Sequence, residues 1–313
     1  MSSLTYLILN YNNGHYVKEC ISSLFAIKEK EDSVIVIDDC SNDNSVEIIN
    51  ILFSTYEFKL ITHQINLGMY ESIRKTLSLV QTDFVAIIDS DDLINVSLSP
   101  LICKGEYVRY MFKLIHGNTI NDFSKTFPDR DFNLDANTSA FGSLLKYGHY
   151  VGSTTTGNVY DVSVLKKLTK GFKFPKSTSY FDTPSFDGFI HRKIAFEGKV
   201  TSRDLVVGLY RRHESNNGSR VSMYSYKKVI RSLKTIYTDI QYVSDNYAIN
   251  PWSFKVLLFR DNRILIIYIL GHLIEGKFLT YFKGITLYLF LNFTKKGIYN
   301  LINAHRIFLS SYF

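Results

Sequence analysis

Four short apolar runs of strand length recur in the first ninety residues, and segments with helical periodicity separate them. The runs are residues 4–9 (LTYLIL), 33–38 (SVIVID), 58–62 (FKLIT) and 84–89 (FVAIID). Near-continuous apolar strands that alternate with helices are typical of a parallel sheet with both faces covered. The intervening patterns predict helices over residues 16–25, 44–53 and 69–80, with Asn42 or Asp43 as the N-cap of the second.

Polar clusters follow three of these runs at the point where each predicted strand ends. They are Asn10-Tyr11-Asn12, Asp38-Asp39 and Asp89-Ser90-Asp91-Asp92. Because wound α/β sheets bind ligands at the carboxyl ends of their strands, we expect the three clusters to meet at one edge.

Asp89 and Asp91 form a D-x-D arrangement directly after a buried strand. In an extended segment, residues two apart point to the same side, so the pair offers oxygen ligands to a hard cation such as Mg²⁺ or Mn²⁺. The alternative is a helix N-cap after the strand, since Asp and Ser are favoured there. The second acidic pair, Asp38-Asp39, favours the metal, because crowded carboxylates repel one another unless a cation joins them.

Other sites fit the sequence less well. Phosphatases of the haloacid dehalogenase type also place D-x-D after a strand, but near their N-terminus, whereas three strands precede it here. The G-x-G-x-x-G and GxxxxGK[ST] patterns of dinucleotide and P-loop sites do not occur in the sequence.

The positive charge of the chain is concentrated at its C-terminal end. Residues 1–224 carry 24 Lys+Arg and 25 Asp+Glu, whereas residues 225–313 carry 12 and 4. That excess points to an acidic partner, and by charge alone the candidates are nucleic acid, an anionic membrane face or another acidic surface. Two apolar runs, 264–270 and 285–293, predict either amphipathic helices on a membrane or a helical subdomain that packs on the core or self-associates.

The N-terminal sequence and the cysteine spacing indicate in which cellular compartment the protein is expected. The N-terminus lacks the pattern of a signal peptide, and the run at 264–270 is too short to span a bilayer. The three cysteines show no C-x-x-C spacing, which is typical of a reducing compartment. We expect a cytoplasmic protein, with the inner face of the cytoplasmic membrane as an alternative location.

The N-terminal motifs resemble, in order, those of family 2 inverting glycosyltransferases, which have the GT-A fold. The resemblance covers residues 4–12, 16–24, 34–45, 66–68 and 84–92, and continues more weakly at 186–198 and 210–215. It implies a mostly parallel, Rossmann-like sheet flanked by helices. It also implies a catalytic domain over residues 1–222, divided into a nucleotide-binding half (1–92) and an acceptor half (93–222). Residues 223–313 would form a C-terminal helical extension.

The resemblance also implies roles in binding the donor nucleotide. Tyr11 would stack on the base, with a surface-turn aromatic as the alternative, and Asp39 would accept the base N–H with support from Asp38. Asp89 would contact the ribose or the metal shell. The remaining residues expected near the donor are Ser90, the turn residues Asn66 and Gly68, Arg74 and Arg212. Many relatives carry an arginine where this chain has Ile73, so either Arg74 or Lys75 would serve the phosphates instead, or this contact is absent.

For the metal and the chemistry, the resemblance implies Asp91, with Asp89, as ligands of Mn²⁺ or Mg²⁺. His213 would complete the shell, or would be a solvated loop histidine. Asp92 would be a further site residue or the cap of the next turn. Asp187 would be the general base, with Asp182 as its rival or with either one as a helix cap.

The function implied is transfer of a sugar, with inversion, from a nucleotide diphosphate sugar to a carbohydrate or lipid-linked glycan acceptor. UDP sugars are expected first, and a bacterial surface or capsular polysaccharide pathway fits the Ile-, Lys-, Asn- and Tyr-rich composition. The alternatives are a nucleotidyltransferase or an inactive GT-A binding subunit. Nucleic acid is not an expected partner.

Overall fold

The structure is a computed structural model that describes residues 3–117, 126–127, 154–170, 186–213, 224–247, 250 and 262–312. Its strands are β1 (Leu4–Asn10), β2 (Ser33–Asp38), β3 (Lys59–Thr62), β4 (Phe84–Asp89), β5 (Leu93–Ile94), β6 (Arg109–Gly117), β7 (Thr126–Phe127), β8 (Asn158–Asp161) and β9 (Val200–Arg211). Its helices are α1 (Gly14–Phe25), α2 (Ser45–Phe53), α3 (Gly68–Thr76), α4 (Val162–Lys170), α5 (Phe186–Glu197), α6 (Tyr226–Asn246), α7 (Asn262–Ile274), α8 (Phe278–Leu291) and α9 (Lys295–Tyr312).

The described strands form one mixed sheet in the order β3-β2-β1-β4-β8-β6-β9-β5, and β7 pairs with β6. Strand β1 is parallel to both β2 and β4, and β2 is parallel to β3. Strand β8 is antiparallel to β4 and β6, whereas β9 is parallel to β6 and antiparallel to β5. The predicted α/β fold class is therefore confirmed, and the parallel part of the sheet is its N-terminal half.

The first half is parallel because its strands are apolar throughout and must be covered on both faces. All seven residues of β1 are buried. Helix α1 covers one face with the buried stripe Val17, Cys20, Ile21 and Leu24, which follows the i, i+3, i+4, i+7 spacing of an amphipathic helix. Cys20 is thus a small residue of the core.

Helix α2 begins one position later than the sequence predicts. Its N-cap is Asn44, so the expected caps at Asn42 and Asp43 are wrong in position. The Asp43 carboxylate nevertheless accepts hydrogen bonds from the backbone N–H of Ser45 (3.0 Å) and of Gly14 (2.8 Å). One side chain thus satisfies donors at the starts of both helices, which lie side by side.

The described residues fall into two compact units. The first lies within Met1–Phe141, Val151–Thr178 and Ile190–His213 and contains the sheet. The described part of the second comprises residues 186–189, 224–247, 250 and 262–312. The predicted boundary at residue 222 lies outside the described residues, so the proposed domain limits stay a prediction.

In the second unit, the run at 264–270 forms the middle of α7 and is buried on all sides. Helix α7 packs against α6, α8 and α9. A helix that is apolar all round needs this central position. Among the helices that the structure describes, none combines the length and the apolar character needed to cross a bilayer.

Strands β5 and β9 approach each other closely at Gly208. A Cβ atom placed there would lie 1.9 Å from the carbonyl oxygen of Leu93. We expect Gly208→Ala to lower the free energy of unfolding by about 1–3 kcal/mol, the usual cost of overpacking a core, because the backbone must move to admit the methyl group. Urea unfolding measures the loss. Leu205→Ala, at an exposed position of the same strand, is the matched control, and equal stability of the two variants would contradict the close approach.

Candidate active site at the carboxyl edge of the sheet

Asn10 joins the ends of β1 and β2. Its Nδ2 donates a hydrogen bond of 2.7 Å to Asp38 Oδ2, and Asn10 and Asp38 are both buried. Ser41 completes the connection, because its hydroxyl donates to the same Asp38 oxygen (2.6 Å) and its backbone N–H donates to Asp38 Oδ1 (2.9 Å). The Asp38 carboxylate therefore anchors the loop after β2 instead of facing solvent.

The other end of the Asn10 amide joins β1 to β4. Asn10 Oδ1 accepts a hydrogen bond of 2.8 Å from the Ser90 hydroxyl. The same hydroxyl oxygen accepts a bond of 3.0 Å from Asn13 Nδ2 at the start of α1. Since Ser90 is fully buried, its placement gives no direct contact with a nucleotide. The buried side chains of Ser90 and Asp38 therefore both support the site through hydrogen bonds to Asn10.

The loops after β1 and β2 carry the described non-glycine residues with left-handed backbone, Asn12 (φ 53°) and Cys40 (φ 66°). Asn12 is held there by Ser41, whose hydroxyl accepts its N–H at 2.9 Å, and by a bond from the N–H of Asn42 to its own Oδ1 at 2.9 Å. Such conformations concentrate at functional sites, where surrounding contacts maintain them. Tyr11, next to Asn12, is 47% exposed, which allows a planar ring to stack on it.

Asp39 lies at the end of β2 and binds the turn before α3. Its oxygens accept hydrogen bonds from the backbone N–H groups of Leu67 (2.9 Å) and Gly68 (2.7 Å). His63 Nδ1 lies 2.9 Å from Asp39 Oδ1. The carboxylate therefore fixes the turn, and its Oδ2, which accepts the Gly68 bond, can accept a further donor.

The turn itself matches the expected Asn66-Leu67-Gly68 motif. Gly68 has φ +76°, a conformation that favours glycine, and its N–H also lies 3.0 Å from Asn66 Oδ1. In α3 the Arg74 guanidinium forms an ion pair of 2.7 Å with Glu71, one turn earlier. A phosphate contact by Arg74 would have to compete with Glu71, and that role stays a prediction.

The acidic turn after β4 is tied to the end of β9. Asp91 Oδ2 lies 2.9 Å from His213 Nε2, and both side chains are largely buried. Asp92 Oδ1 accepts the backbone N–H of Arg211 at 2.9 Å. Asp92 is therefore a buried link between β4 and β9, and the expectation that it caps the following turn is wrong.

Tyr16 of α1 contacts two side chains at and just after the end of β9. The Arg211 guanidinium lies 4.8 Å from the centre of its ring, and the His213 ring lies 4.5 Å away. Arg211 is itself paired with Glu19 at 2.7 Å, one helical turn after Tyr16. These contacts keep the His213 ring beside Asp91.

Negative charge is concentrated around this turn. Burial raises the pKa of Asp92 well above its usual value, and the charges of Asp91 and Asp89 raise it further. Burial also raises the pKa of the Cys20 thiol well above its usual value, with the three aspartates adding to the effect. The local field therefore favours a cation.

A divalent cation fits this arrangement in part. Asp91 and His213 offer one oxygen and one ring nitrogen at the same point, and a nucleotide diphosphate would supply more oxygens. Within the described ranges, no group of three or more His, Cys, Asp and Glu side chains gathers as a complete metal site. The metal roles of Asp89, Asp91 and His213 stay predictions.

The remaining predicted residues lie at different places. Arg212 is exposed, and its backbone N–H donates to the carbonyl oxygen of Gly117 at 3.0 Å. Asp187 is half-buried in the first turn of α5 and belongs to the second unit. Asp182 lies outside the described residues.

Sequence reasoning missed the residues that hold the site together. These are Asn10, Asn13, Tyr16, Ser41 and His63. Asn10 stood in a cluster that the sequence did identify, but its amide is assigned a role only when β1, β2 and β4 are aligned side by side.

Asp38 and Tyr11 are expected to respond differently to truncation. Asp38→Ala removes the buried acceptor of three hydrogen bonds and should lower the free energy of unfolding by roughly 2–4 kcal/mol. Tyr11→Ala, at an exposed ring, should change it by less than about 0.5 kcal/mol. Urea unfolding of both variants measures this, and equal losses would contradict the supporting role of Asp38.

The fold of this chain is similar to those of several solved structures. A structure of S. aureus TarS 1–349 in complex with UDP-GlcNAc has a TM-score of 0.61 and 17% identity, covering 82% of this chain and 70% of that one. The mannosyltransferase PcManGT from Pyrobaculum calidifontis, in complex with GDP-Man and Mn²⁺, has a TM-score of 0.58 and 13% identity, with 97% and 84% covered. At these identities the similarity is one of fold, and it confirms the GT-A architecture.

Sequence similarity is shorter. The poly-beta-1,6-N-acetyl-D-glucosamine synthase of Staphylococcus epidermidis is 25% identical over 95 residues, which are 30% of this chain and 23% of that protein. The corresponding synthase of Staphylococcus aureus is 24% identical over the same length. The match spans less than a quarter of these curated relatives. The family model described as Glycosyl transferase family 2 matches residues 5–167, more than half of the chain. The chain is therefore a member of glycosyltransferase family 2.

Proposed function

We propose that this chain transfers a sugar, with inversion, from a nucleotide diphosphate sugar to a carbohydrate or lipid-linked glycan acceptor. The observation that carries the proposal is the joined edge of β1, β2 and β4. There, the exposed Tyr11 ring and the Asp39 carboxylate follow strands that Asn10 holds together. The acidic turn after β4 lies on the same edge, so a base and a diphosphate can be bound together.

A UDP sugar is the first candidate donor. Tyr11 would stack on the uracil ring, and Asp39 would accept the N–H of the base. TarS, one of the neighbours in fold, is described in complex with UDP-GlcNAc, which supports this choice of donor. The synthases among the sequence relatives make a glycan polymer by name, which supports a cell-surface polysaccharide as the product.

A divalent cation, Mn²⁺ or Mg²⁺, would be held by Asp91 and His213, with Asp89 nearby. Bound there, it would neutralise the charge that develops on the leaving diphosphate. PcManGT is described in complex with Mn²⁺, in agreement with this assignment. The exposed Arg212 would add positive charge near the diphosphate.

In the proposed reaction, Asp187 accepts the proton of the acceptor hydroxyl. The hydroxyl oxygen attacks the anomeric carbon from the side opposite the leaving group. The bond from that carbon to the diphosphate oxygen breaks, and its electron pair leaves with the diphosphate. A single displacement of this kind inverts the configuration. The alternative role for Asp187 is to cap the start of α5, where the helix dipole would stabilise its negative charge.

Removal of one carboxylate tests the metal site. We expect Asp91→Ala to abolish the effect of Mn²⁺ on UDP binding, because a metal–diphosphate link loses its main protein oxygen. Isothermal titration calorimetry with UDP, with and without Mn²⁺, measures this. Asp204→Ala removes an exposed carboxylate of β9 and is the control that should keep the Mn²⁺ effect. An unchanged Mn²⁺ effect in Asp91→Ala would refute the site.

Replacement of the proposed base separates binding from chemistry. We expect Asp187→Asn to bind UDP as the wild type does but to lose at least about a hundredfold in transfer rate, the usual scale of general-base catalysis. The rate is followed as UDP release from a donor chosen by a screen of nucleotide sugars with Mn²⁺. Asp182→Asn is the matched comparison. Near-normal turnover by Asp187→Asn removes it from the base role, and a loss confined to Asp182→Asn assigns that role to Asp182.

A further inference from the structure

Helix α8 and the turn that follows it leave large apolar side chains in solvent. We call these six residues the hairpin surface: Phe278, Leu279, Phe282, Phe290, Leu291 and Phe293. Phe290 is 84% exposed and Phe293 79%, and these are the two highest values among the exposed large hydrophobic residues of the described chain. A cluster of this size on an isolated chain marks a binding surface or an aggregation hazard.

The spacing puts three of these side chains on one side of the helix. Phe278, Phe282 and Phe290 recur at multiples of four residues, so they form a stripe along α8. Tyr288 lies away from that stripe and is buried, with its hydroxyl 3.4 Å from the carbonyl oxygen of Gly297 in α9. The helix thus already has a packed side, and the hairpin surface is its second, uncovered apolar side.

The charge around the hairpin surface is predominantly positive, and the nearest acid in sequence, Glu275, forms an ion pair of 2.8 Å with Lys277. Residues 276–313 contain five Lys+Arg and no Asp or Glu. Lys283 follows Phe282 directly, and Lys295 and Lys296 follow Phe293 after Thr294. Both of these lysines are exposed in the first turn of α9, where the helix dipole disfavours cations. Helix stability therefore does not explain their position, and a negatively charged partner does.

Two occupants could cover an apolar surface of this kind. A second copy of the chain, related by a two-fold axis, would bring Lys283, Lys295 and Lys296 towards their own counterparts, and residues 276–313 contain no acidic side chain to pair with them. An anionic lipid bilayer offers acyl chains to the phenylalanines and phosphates to the lysines. The charge pattern therefore favours the bilayer.

We propose that the α8–α9 hairpin binds the surface of an anionic lipid bilayer. Phe290 and Phe293 enter the boundary between headgroups and acyl chains, and Lys295 and Lys296 contact lipid phosphates. The stripe from Phe278 to Phe290 lies along the interface, so α8 is parallel to the membrane plane. The proposal stands apart from the donor chemistry. If the chain also transfers sugars as proposed above, the hairpin surface would bring the enzyme to lipid-linked acceptors.

Flotation of the full chain with vesicles tests the proposal. We expect binding to vesicles of phosphatidylcholine with phosphatidylglycerol and much weaker binding to pure phosphatidylcholine. Phe290→Ser with Phe293→Ser should weaken binding at least tenfold, because each phenylalanine loses most of its transfer from water. Lys295→Gln with Lys296→Gln should weaken binding to the anionic vesicles by at least about fivefold and leave binding to neutral vesicles unchanged.

The matched control is Ile51→Ser with Leu79→Ser, which removes two exposed apolar side chains from the first unit. It should bind vesicles as the wild type does. Circular dichroism and UDP binding verify that each variant is folded, and a failure of UDP binding in the wild type bears on the donor assignment alone. The proposal is overturned if the wild type does not bind anionic vesicles, or if the phenylalanine pair has no larger effect than the control. A dimer that the same pair abolishes, without vesicle binding, would assign the hairpin surface to a second copy.

Discussion

The Asn10 side-chain amide is the interaction on which the candidate site depends. It donates to Asp38 and accepts from Ser90, so one group at the end of β1 fixes the loops of both neighbouring strands. All three side chains are buried, and a buried amide or carboxylate without a partner is costly. The hydrogen bonds therefore hold the ends of β1, β2 and β4 in one arrangement. That arrangement sets the positions of Tyr11 and of the acidic turn.

The acidic turn after β4 has a second attachment, at the end of β9. Asp92 holds the Arg211 backbone, and Asp91 faces the His213 ring. Tyr16 of the first helix contacts both Arg211 and His213. The turn is therefore linked to the end of β9 and, through Ser90, to β1 and the start of α1, which are far from β9 in sequence. Such rigidity suits a site that must concentrate carboxylates around one cation, because repulsion would otherwise separate them.

The helical second unit illustrates a different use of apolar residues. Helix α7 is buried on all sides and provides the packing centre for α6, α8 and α9. Helix α8 instead divides its apolar residues between the packed side at Tyr288 and the exposed hairpin surface. Both helices come from apolar runs of similar composition, and their neighbours alone distinguish the buried run from the exposed one.

The sequence by itself determined the parallel half of the fold and the location of the site. Strand-length apolar runs require cover on both faces, and in a parallel sheet the clusters at Tyr11, Asp39 and Asp91 must share one edge. Only the tertiary structure decided which polar residues face inwards. Asp38 and Ser90 support the site because Asn10 lies between them, and Asp92 crosses to β9. These partners are up to 119 residues apart. Local periodicity determines the secondary structure and the face on which a side chain lies, whereas a hydrogen-bond partner is set by strand order and register, which arise only when distant segments pack.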